Sequence, residues 1–150
     1  MERDIAEAKR ELNQLYKIKC RIDDIRERLV EYKAQITKLS QKYSPTSGCS
    51  KDNAGSIVES TVVKIMDMEK YLIDLIGELD RRRLQIMRCI ERMDSEDEKL
   101  ILEYRYVDGM SWDEVRACLG TSRSTVFLLQ NRALKSFAEQ YNASKAESSV

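Results

Sequence analysis

Residues 95–134 carry the pattern that decides the fold: SEDEKLILEYRYVDGMSWDEVRACLGTSRSTVFLLQNRAL. Apolar residues recur in this stretch at intervals of three and four, which is the spacing of one buried face of a helix. Asp108-Gly109 and Leu119-Gly120 interrupt the repeat, and glycine at such interruptions is typical of turns. We therefore expect a helix over about 95–107, a short helix over 112–119 and a long third helix, arranged as a helix-turn-helix domain spanning 94–142.

Capping residues mark the ends of these helices. Residues 95–98 and 111–114 both read Ser-x-x-Glu, the capping-box pattern in which a serine hydroxyl and a glutamate carboxylate satisfy free backbone amides. Ser122 is expected to cap the third helix in the same way. Gly120 lies where the chain must turn sharply between two helices, so we expect a positive φ there.

The inner faces of the three helices are predicted to be apolar and to form a common core. They comprise Leu100, Ile101, Tyr104 and Val107 in the first helix, Trp112, Val115 and Leu119 in the second, and Val126, Leu129, Ala133, Leu134 and Phe137 in the third. This assignment leaves the opposite side of the third helix free to face a partner.

The outer face of the third helix is polar and basic. It comprises Ser122, Arg123, Ser124, Thr125, Phe127, Leu128, Asn131, Arg132 and Lys135. The second helix of a helix-turn-helix motif enters the DNA major groove with its N-terminal residues first. Arg123 suits a guanine edge and Asn131 an adenine, whereas the hydroxyls, Arg132 and Lys135 suit phosphates. We predict that these nine residues bind duplex DNA.

Residues 3–43 contain a sustained seven-residue repeat. One apolar series comprises Ala8, Leu15, Ile22, Leu29, Ile36 and Tyr43, and a second comprises Ile18, Ile25, Tyr32 and Leu39. Alternating apolar gaps of three and four are the pattern of a coiled-coil helix. The repeat therefore predicts one long helix that packs against a partner helix along this side.

Residues 44–55, SPTSGCSKDNAG, predict a loop, and the Ser-x-x-Glu pattern at 56–59 predicts that a second long helix spans 56–93. The apolar positions of this helix are Val58, Ile65, Leu72, Leu79, Ile86 and Met93, flanked by Val62, Ile76 and Ile90 on one side and Met68, Leu75 and Cys89 on the other. We predict an antiparallel helical hairpin over 1–93 and a flexible tail over 143–150. The broad second face either pairs two hairpins into a homo-oligomer or docks the C-terminal domain.

Residues 95–140 resemble region four of bacterial sigma factors, which reads the promoter −35 element. The shared positions are Leu102-x-x-Arg105-Tyr106, Gly109-x-Ser111-x-x-Glu114-Val115, Leu119-Gly120-x-Ser122, Thr125-Val126 and Ala133-Leu134. With its long N-terminal helices, the chain resembles small phage and prophage proteins of Gram-positive bacteria. These include a domain-of-unknown-function family near the ArpU-like and RinA-like late transcription regulators. The resemblance implies a sigma-like helix-turn-helix that acts in transcription.

Two positions depart from the sigma-like pattern. Arg116 stands where alanine is usual, and Leu128 stands where a basic residue is common on the DNA face. Alanine allows two helices to approach closely. We therefore expect the Arg116 side chain either to extend outward or to widen the helix contact.

Composition argues against several other classes of protein. The sequence has no run of about 18 apolar residues, the length that a membrane helix needs. The start of the chain also lacks the apolar segment of a signal peptide. We therefore expect a cytoplasmic protein of a bacterial host. The chain has no histidine, and its four cysteines (Cys20, Cys49, Cys89 and Cys118) form no paired zinc motif. We expect structural thiols, with Cys89 and Cys118 in the core, no metal, no cofactor and no enzymatic activity.

Charge is unevenly distributed along the last third of the chain. Residues 94–114 contain eight acidic and two basic residues, whereas residues 115–150 contain two acidic and five basic residues. The acidic residues have two possible roles. They either place favourable charge at a helix N-terminus, or they form a docking surface for RNA polymerase or another basic partner. The basic third helix favours DNA.

These observations predict a DNA-binding transcriptional regulator of the phage or prophage type. The alternative is a structural or adaptor protein whose helix-turn-helix and coiled coil bind protein partners, such as RNA polymerase or phage packaging components. A discrete duplex site with salt-dependent affinity is expected only from the first of these.

Overall fold

The computed structural model describes residues 2–42 and 51–149, and within these ranges it contains helices and no strand. The helices are α1 (Glu2–Lys42), α2 (Lys51–Glu91), α3 (Glu96–Leu102), α4 (Trp112–Leu119) and α5 (Arg123–Ser148), and a π-helical segment (Glu103–Val107) directly follows α3. The predicted all-α class is confirmed. In these ranges no helix combines the length and the apolar character needed to cross a membrane.

The chain forms two compact units, one of residues 1–18 and 79–150 and the other of residues 19–78. The first unit therefore contains the start of α1 and the end of α2 together with all the C-terminal helices. This division differs from the boundary expected at residue 94. The reason is that the apolar side chains at the start of α1 and at the end of α2 belong to the same core as those of the C-terminal helices.

The core of the first unit is continuous across five helices. Its buried members in these helices are Ala8, Leu12 and Leu15 of α1, Ile86, Cys89 and Ile90 of α2, Ile101 and Leu102 of α3, Val115 of α4, and Val126, Ala133, Leu134, Phe137, Ala138 and Tyr141 of α5, and Met93, Tyr106 and Val107 complete the core. Phe137 is fully buried, and its ring stacks on Tyr141 with 5.9 Å between ring centroids. Full burial of one such side chain contributes about 1.5–3 kcal/mol.

The second unit consists of the later part of α1 and the earlier part of α2. Its buried side chains are Ile22, Ile25 and Leu29 of α1 and Thr61, Ile65 and Leu75 of α2. Lys33 of α1 pairs with Glu69 of α2 at 3.4 Å between Nζ and Oε1. All described positions of the seven-residue repeat in α1 are buried or half-buried, as predicted, and Tyr43 lies outside the described residues.

The structure corrects the predicted start of the second long helix. α2 is already helical at Lys51, so Ser56 lies inside it and does not cap it, and the predicted loop over 44–55 does not include residues 51–55. Glycine and serine lower helix propensity without preventing a helix, since Gly55 costs only about 1 kcal/mol relative to alanine. Residues 43–50, with Cys49 among them, lie outside the described residues.

Residues 143–148 of the predicted tail are helical, because α5 continues to Ser148. The end of α5 is tied to other helices of the same unit: Lys145 pairs with Glu7 of α1, and Arg92 of α2 lies 3.5 Å from Glu147. Lys145 also lies over the Tyr141 ring, at 4.8 Å from the ring centroid. Small polar residues at a chain end suggest fraying, but here the tertiary pairs stabilise the last turns.

Cysteine placement follows the helix faces. Cys89 is buried as predicted, and burial raises the pKa of its thiol, an effect that the nearby Arg92 partly offsets. Cys118 was expected in the core but is exposed, as is Cys20. Val115 is the buried residue of α4, and Cys118, near the end of this short helix, lies at the surface.

Candidate nucleic-acid interface

The first two C-terminal helices begin at the serines that the sequence marks. The Ser111 hydroxyl accepts a bond from the Glu114 amide at 3.2 Å, and the Glu114 carboxylate accepts one from the Ser111 amide at 2.9 Å, so this capping box is complete. Ser95 also caps α3 through the Glu98 amide. The Glu98 carboxylate, however, accepts a bond from the Ser136 hydroxyl of α5 at 2.8 Å, which joins α3 to α5.

The connection before α4 is held by Arg105. The π-helical segment ends with the Asp108 amide donating to the Glu103 carbonyl, five residues back, at 2.8 Å. Arg105 donates to the Met110 carbonyl at 2.8 Å, and its guanidinium lies over the Trp112 ring at 4.8 Å from the centroid. The wider π turn allows both Tyr106 and Val107 to enter the core. The sequence pattern predicts a helix through residue 107, but it does not predict that the last turns are π-helical.

A left-handed glycine separates α4 from α5. Gly120 has φ 64° and ψ 33°, and its amide donates to the Arg116 carbonyl at 2.8 Å. After one further residue, Ser122 begins α5, and its hydroxyl accepts a bond from the Thr125 amide at 3.4 Å. The predicted positive φ and the predicted cap are both confirmed. This short connection holds the N-terminus of α5 next to α4.

All nine residues predicted to contact DNA lie at the surface. Ser122, Arg123, Ser124, Thr125, Phe127, Leu128, Asn131, Arg132 and Lys135 are exposed. Phe127 and Leu128, two consecutive apolar residues, are 61% and 59% exposed. At about 100° per residue, the eight that belong to α5 fall on one side of the helix. The structure thus brings them together on one face, which we call the α5 outer face.

The α5 outer face is positively charged. Arg123, Arg132 and Lys135 are exposed, and none of them forms an ion pair with the part of the chain that the structure describes. The first acidic residue of α5 is Glu139, more than four turns into the helix. The four turns that follow the Ser122 cap therefore carry uncompensated positive charge.

A groove of about 240 Å³ runs between α4 and α5, beside the outer face. It is lined by Trp112, Asp113 and Arg116 of α4 and by Arg123, Val126, Phe127 and Gln130 of α5. Two of the predicted DNA-binding residues, Arg123 and Phe127, thus also line this groove. We call it the α4–α5 groove.

Arg116 has an incomplete set of hydrogen-bond partners. Its side chain is 34% exposed, and its nearest acidic group, the Asp113 carboxylate, lies 3.8 Å from Nη2, beyond hydrogen-bond distance. Its Nε atom is buried and has no hydrogen-bond partner among the described residues. A buried, unpaired donor costs free energy unless a ligand supplies the acceptor.

On the opposite side of the outer face, a second groove of about 410 Å³ separates α5 from α3. It is lined by Asp97 of α3, by Leu119 and Thr121, and by Thr125, Leu128, Leu129 and Arg132 of α5. Leu128 and Arg132 therefore stand beside an acidic helix, whereas Arg123 stands beside Arg116. The two sides of the α5 outer face differ in electrostatic character.

Sequence reasoning did not place Arg116, Trp112 or Gln130 at a candidate site. Trp112, predicted to face inward as a core residue, is half-buried and packs against the core, and it also lines the α4–α5 groove. The spacing of Trp112 and Arg116, four residues apart on α4, puts both side chains on one face. The spacing indicates that Trp112 and Arg116 share a face of α4, but it does not indicate that this face borders α5.

The class of protein that these observations define is all-helical, with a basic, solvent-exposed helix face in one of two compact units. The chain belongs to the DUF1492 family, described as proteins of unknown function, whose model matches residues 40–138. The match includes all of α2, α3 and α4 and the first part of α5. No curated protein and no solved structure matches the chain. Among the side chains that the structure describes, no three are grouped as metal ligands would be.

Proposed function

We propose that the chain is a DNA-binding transcriptional regulator of the phage or prophage type, acting in the bacterial cytoplasm. In this proposal α4, the Gly120 turn and α5 form a helix-turn-helix, and the α5 outer face enters the major groove of duplex DNA. The single observation that carries the proposal is the uncompensated charge of Arg123, Arg132 and Lys135 on one exposed face. Free cations on one helix face are what neutralisation of DNA phosphates requires.

The sigma-like part of the proposal rests on the sequence pattern together with the capped helices and the left-handed glycine. By this interpretation Arg123 reads a guanine edge, Asn131 reads an adenine, and Arg132 and Lys135 bind flanking phosphates. The acidic residues of α3 then form a surface for RNA polymerase, since Glu96 is 80% exposed. DNA would bind the basic face of α5 and RNA polymerase the acidic residues of α3, so the opposite charges would direct the two partners to different sites.

We further propose that α1 and α2 form an antiparallel hairpin through which two copies of the chain associate. Two ion pairs support this direction: Glu11 with Arg82 at 2.9 Å, and Lys33 with Glu69 at 3.4 Å. Glu11, early in α1, pairs with Arg82, late in α2. Lys33, later in α1, pairs with Glu69, which is earlier in α2. Helix-turn-helix proteins usually bind DNA as dimers, with one DNA-binding domain on each half-site.

The alternative function is that of an adaptor whose C-terminal helices bind protein. The exposure of Phe127 and Leu128 favours it, because large apolar side chains on a DNA-reading face gain little from phosphates. DNA nevertheless offers them an apolar partner, the thymine methyl group. The adaptor hypothesis predicts stable binding to a protein partner without measurable affinity for duplex DNA.

The test is selection of duplexes from a random pool by the full chain at physiological salt, followed by fluorescence anisotropy on the selected sequence. We expect a discrete site. Arg123→Ala should weaken binding to that site by about tenfold or more and relax specificity at one position, since a bidentate contact to guanine contributes about 1–3 kcal/mol. Lys135→Ala should weaken binding to all duplexes about equally and lower the salt dependence by about one ion.

Arg28→Ala is the matched control, because Arg28 is an exposed arginine of α1 in the other compact unit. It should leave the affinity unchanged. If the wild-type chain selects no duplex and shows no salt-dependent affinity, the DNA proposal fails and the adaptor function takes its place.

A further inference from the structure

The α4–α5 groove is lined by the Arg116 guanidinium, which has a donor without a hydrogen-bond partner among the described residues. Arg116 keeps one edge of its guanidinium, formed by Nε and Nη2, without a close acceptor: Nε has no partner among the described residues, and Nη2 is 3.8 Å from the Asp113 carboxylate. Nε itself is buried, so an anion in the groove would contact the exposed part of the guanidinium, whose N–H groups bind phosphate or carboxylate oxygens. Such an anion would give the Arg116 guanidinium a close acceptor.

The charge around the groove favours an anion as that ligand. Arg123 lines the same groove, is exposed and forms no ion pair within the described residues. The carboxylate of Asp113 opposes the anion, but its side chain is 84% exposed, so water screens it. The groove, at about 240 Å³, is below the usual size of a pocket that encloses a small molecule. It is suited to a group that projects from a larger partner.

We propose that the α4–α5 groove binds one backbone phosphate of duplex DNA, held by Arg116, next to the base pairs that Arg123 reads. This inference rests on the proposed function and adds a contact that the predicted outer face lacks. Continuity supports DNA as the source of the phosphate, because Arg123 and Phe127 belong both to the groove and to the outer face. A phosphate contact beside the first turn of α5 would fix the position of that helix in the major groove.

Two substitutions with opposite expected effects test the role of Arg116. On the selected duplex, Arg116→Ala should weaken binding about tenfold and lower the salt dependence by about one ion, without changing base preference. Asp113→Asn removes the opposing carboxylate and should strengthen binding a few-fold. If Arg116 served only to pair with Asp113, both substitutions would break the same pair and shift the affinity in the same direction. The Arg28→Ala variant is again the control.

Trp112 provides a readout that does not depend on affinity for DNA. It is the one tryptophan of the chain and lines the groove, so its fluorescence should change when duplex DNA or inorganic phosphate occupies the site. Arg116→Ala should abolish the response to phosphate. Circular dichroism and a thermal melt show whether each variant remains folded, and alanine suits a helix at this position.

The possible outcomes separate this inference from the proposed function. If the wild-type chain binds a selected duplex and Arg116→Ala does so equally well, the phosphate site is overturned and DNA binding stands. If no duplex binds but phosphate changes Trp112 fluorescence through Arg116, the groove takes an anion of another partner and both the DNA source and the proposed function are overturned. No response of Trp112 to either probe also overturns the inference.

Discussion

At the scale of single residues, backbone conformation explains why glycine stands at position 120. Gly120 has φ 64°, a region in which a Cβ atom costs about 1–2 kcal/mol. A Cβ built on Gly120 meets no other atom within 4 Å, so the strain is purely conformational. Gly55 differs, since it lies within α2 at a φ that other residues adopt, and its Cβ position is also open.

We predict opposite effects of the same substitution at these two glycines. Gly120→Ala should lower the free energy of unfolding by about 1–2 kcal/mol because alanine resists a positive φ. Gly55→Ala should raise it by about 0.5–1 kcal/mol because alanine favours the helix interior. Urea unfolding followed by circular dichroism measures both. Equal signs would contradict the conformations assigned to these positions.

Cysteine reactivity is a second residue-scale prediction. Burial raises the pKa of the Cys89 thiol, so at neutral pH Cys89 has less thiolate than an exposed cysteine and is also shielded from reagents. We expect iodoacetamide to modify Cys20 and Cys118 in the native protein at pH 8 and to modify Cys89 only after unfolding in urea. Peptide mass spectrometry identifies the modified sites. Rapid native modification of Cys89 would show that the core opens there.

At the scale of the element, α4 is a short helix whose stability depends on its ends. With 8 residues it is too short to be stable alone in water, so the capping box at Ser111 and Glu114, the Gly120 turn and the burial of Val115 together maintain it. The Arg105 contacts to Met110 and Trp112 fix the chain just before it. The capping box thus fixes the N-terminal end of α4, and the Gly120 turn fixes its C-terminal end.

We predict that Ser111→Ala destabilises the protein by about 1 kcal/mol, since alanine cannot accept the Glu114 amide at the N-cap. Ser111→Asp should retain most of the stability because aspartate is also a good N-cap. The thermal midpoints of both variants provide the measurement. As a matched control, Ser40→Ala replaces an exposed serine inside α1 that does not cap a helix and should change stability little.

At the scale of the whole molecule, α2 carries apolar residues on more than one face. Besides its buried residues in the second unit, Val62, Met66 and Ile73 are 39%, 53% and 68% exposed and lie on one side of the helix, four and seven residues apart. Such a stripe is the pattern of a helix that meets another helix. It is the surface through which we propose that two copies associate.

We predict that the full chain is dimeric at micromolar concentration and that Ile73→Glu makes it monomeric, since a charge within an apolar contact opposes association. Sedimentation velocity distinguishes the two states. Lys64→Glu, at an exposed polar position of the same helix, is the control and should remain dimeric. A wild-type monomer across the concentration range would exclude this stripe as a dimer contact.

The amino-acid sequence alone determined the local features of this protein: the helical class, the serine caps at 95, 111 and 122, the left-handed Gly120 and the repeat of α1. Each depends on residues only a few positions apart, so a short window contains all the interactions that decide it. The exposure of the nine predicted residues follows for the same reason, because helix periodicity separates an apolar face from a polar one.

Only the tertiary structure decided how far α5 extends, which elements share a core, and what Arg116 lacks. α5 continues to Ser148 with the help of contacts such as Lys145 with Glu7, residues that are 138 positions apart in the chain. The π-helical turn lets Tyr106 and Val107 reach a core formed by distant helices. That the Nε donor of Arg116 is buried without a partner among the described residues is likewise seen only in the folded chain. These features depend on contacts between distant parts of the chain, which periodicity and capping patterns do not contain.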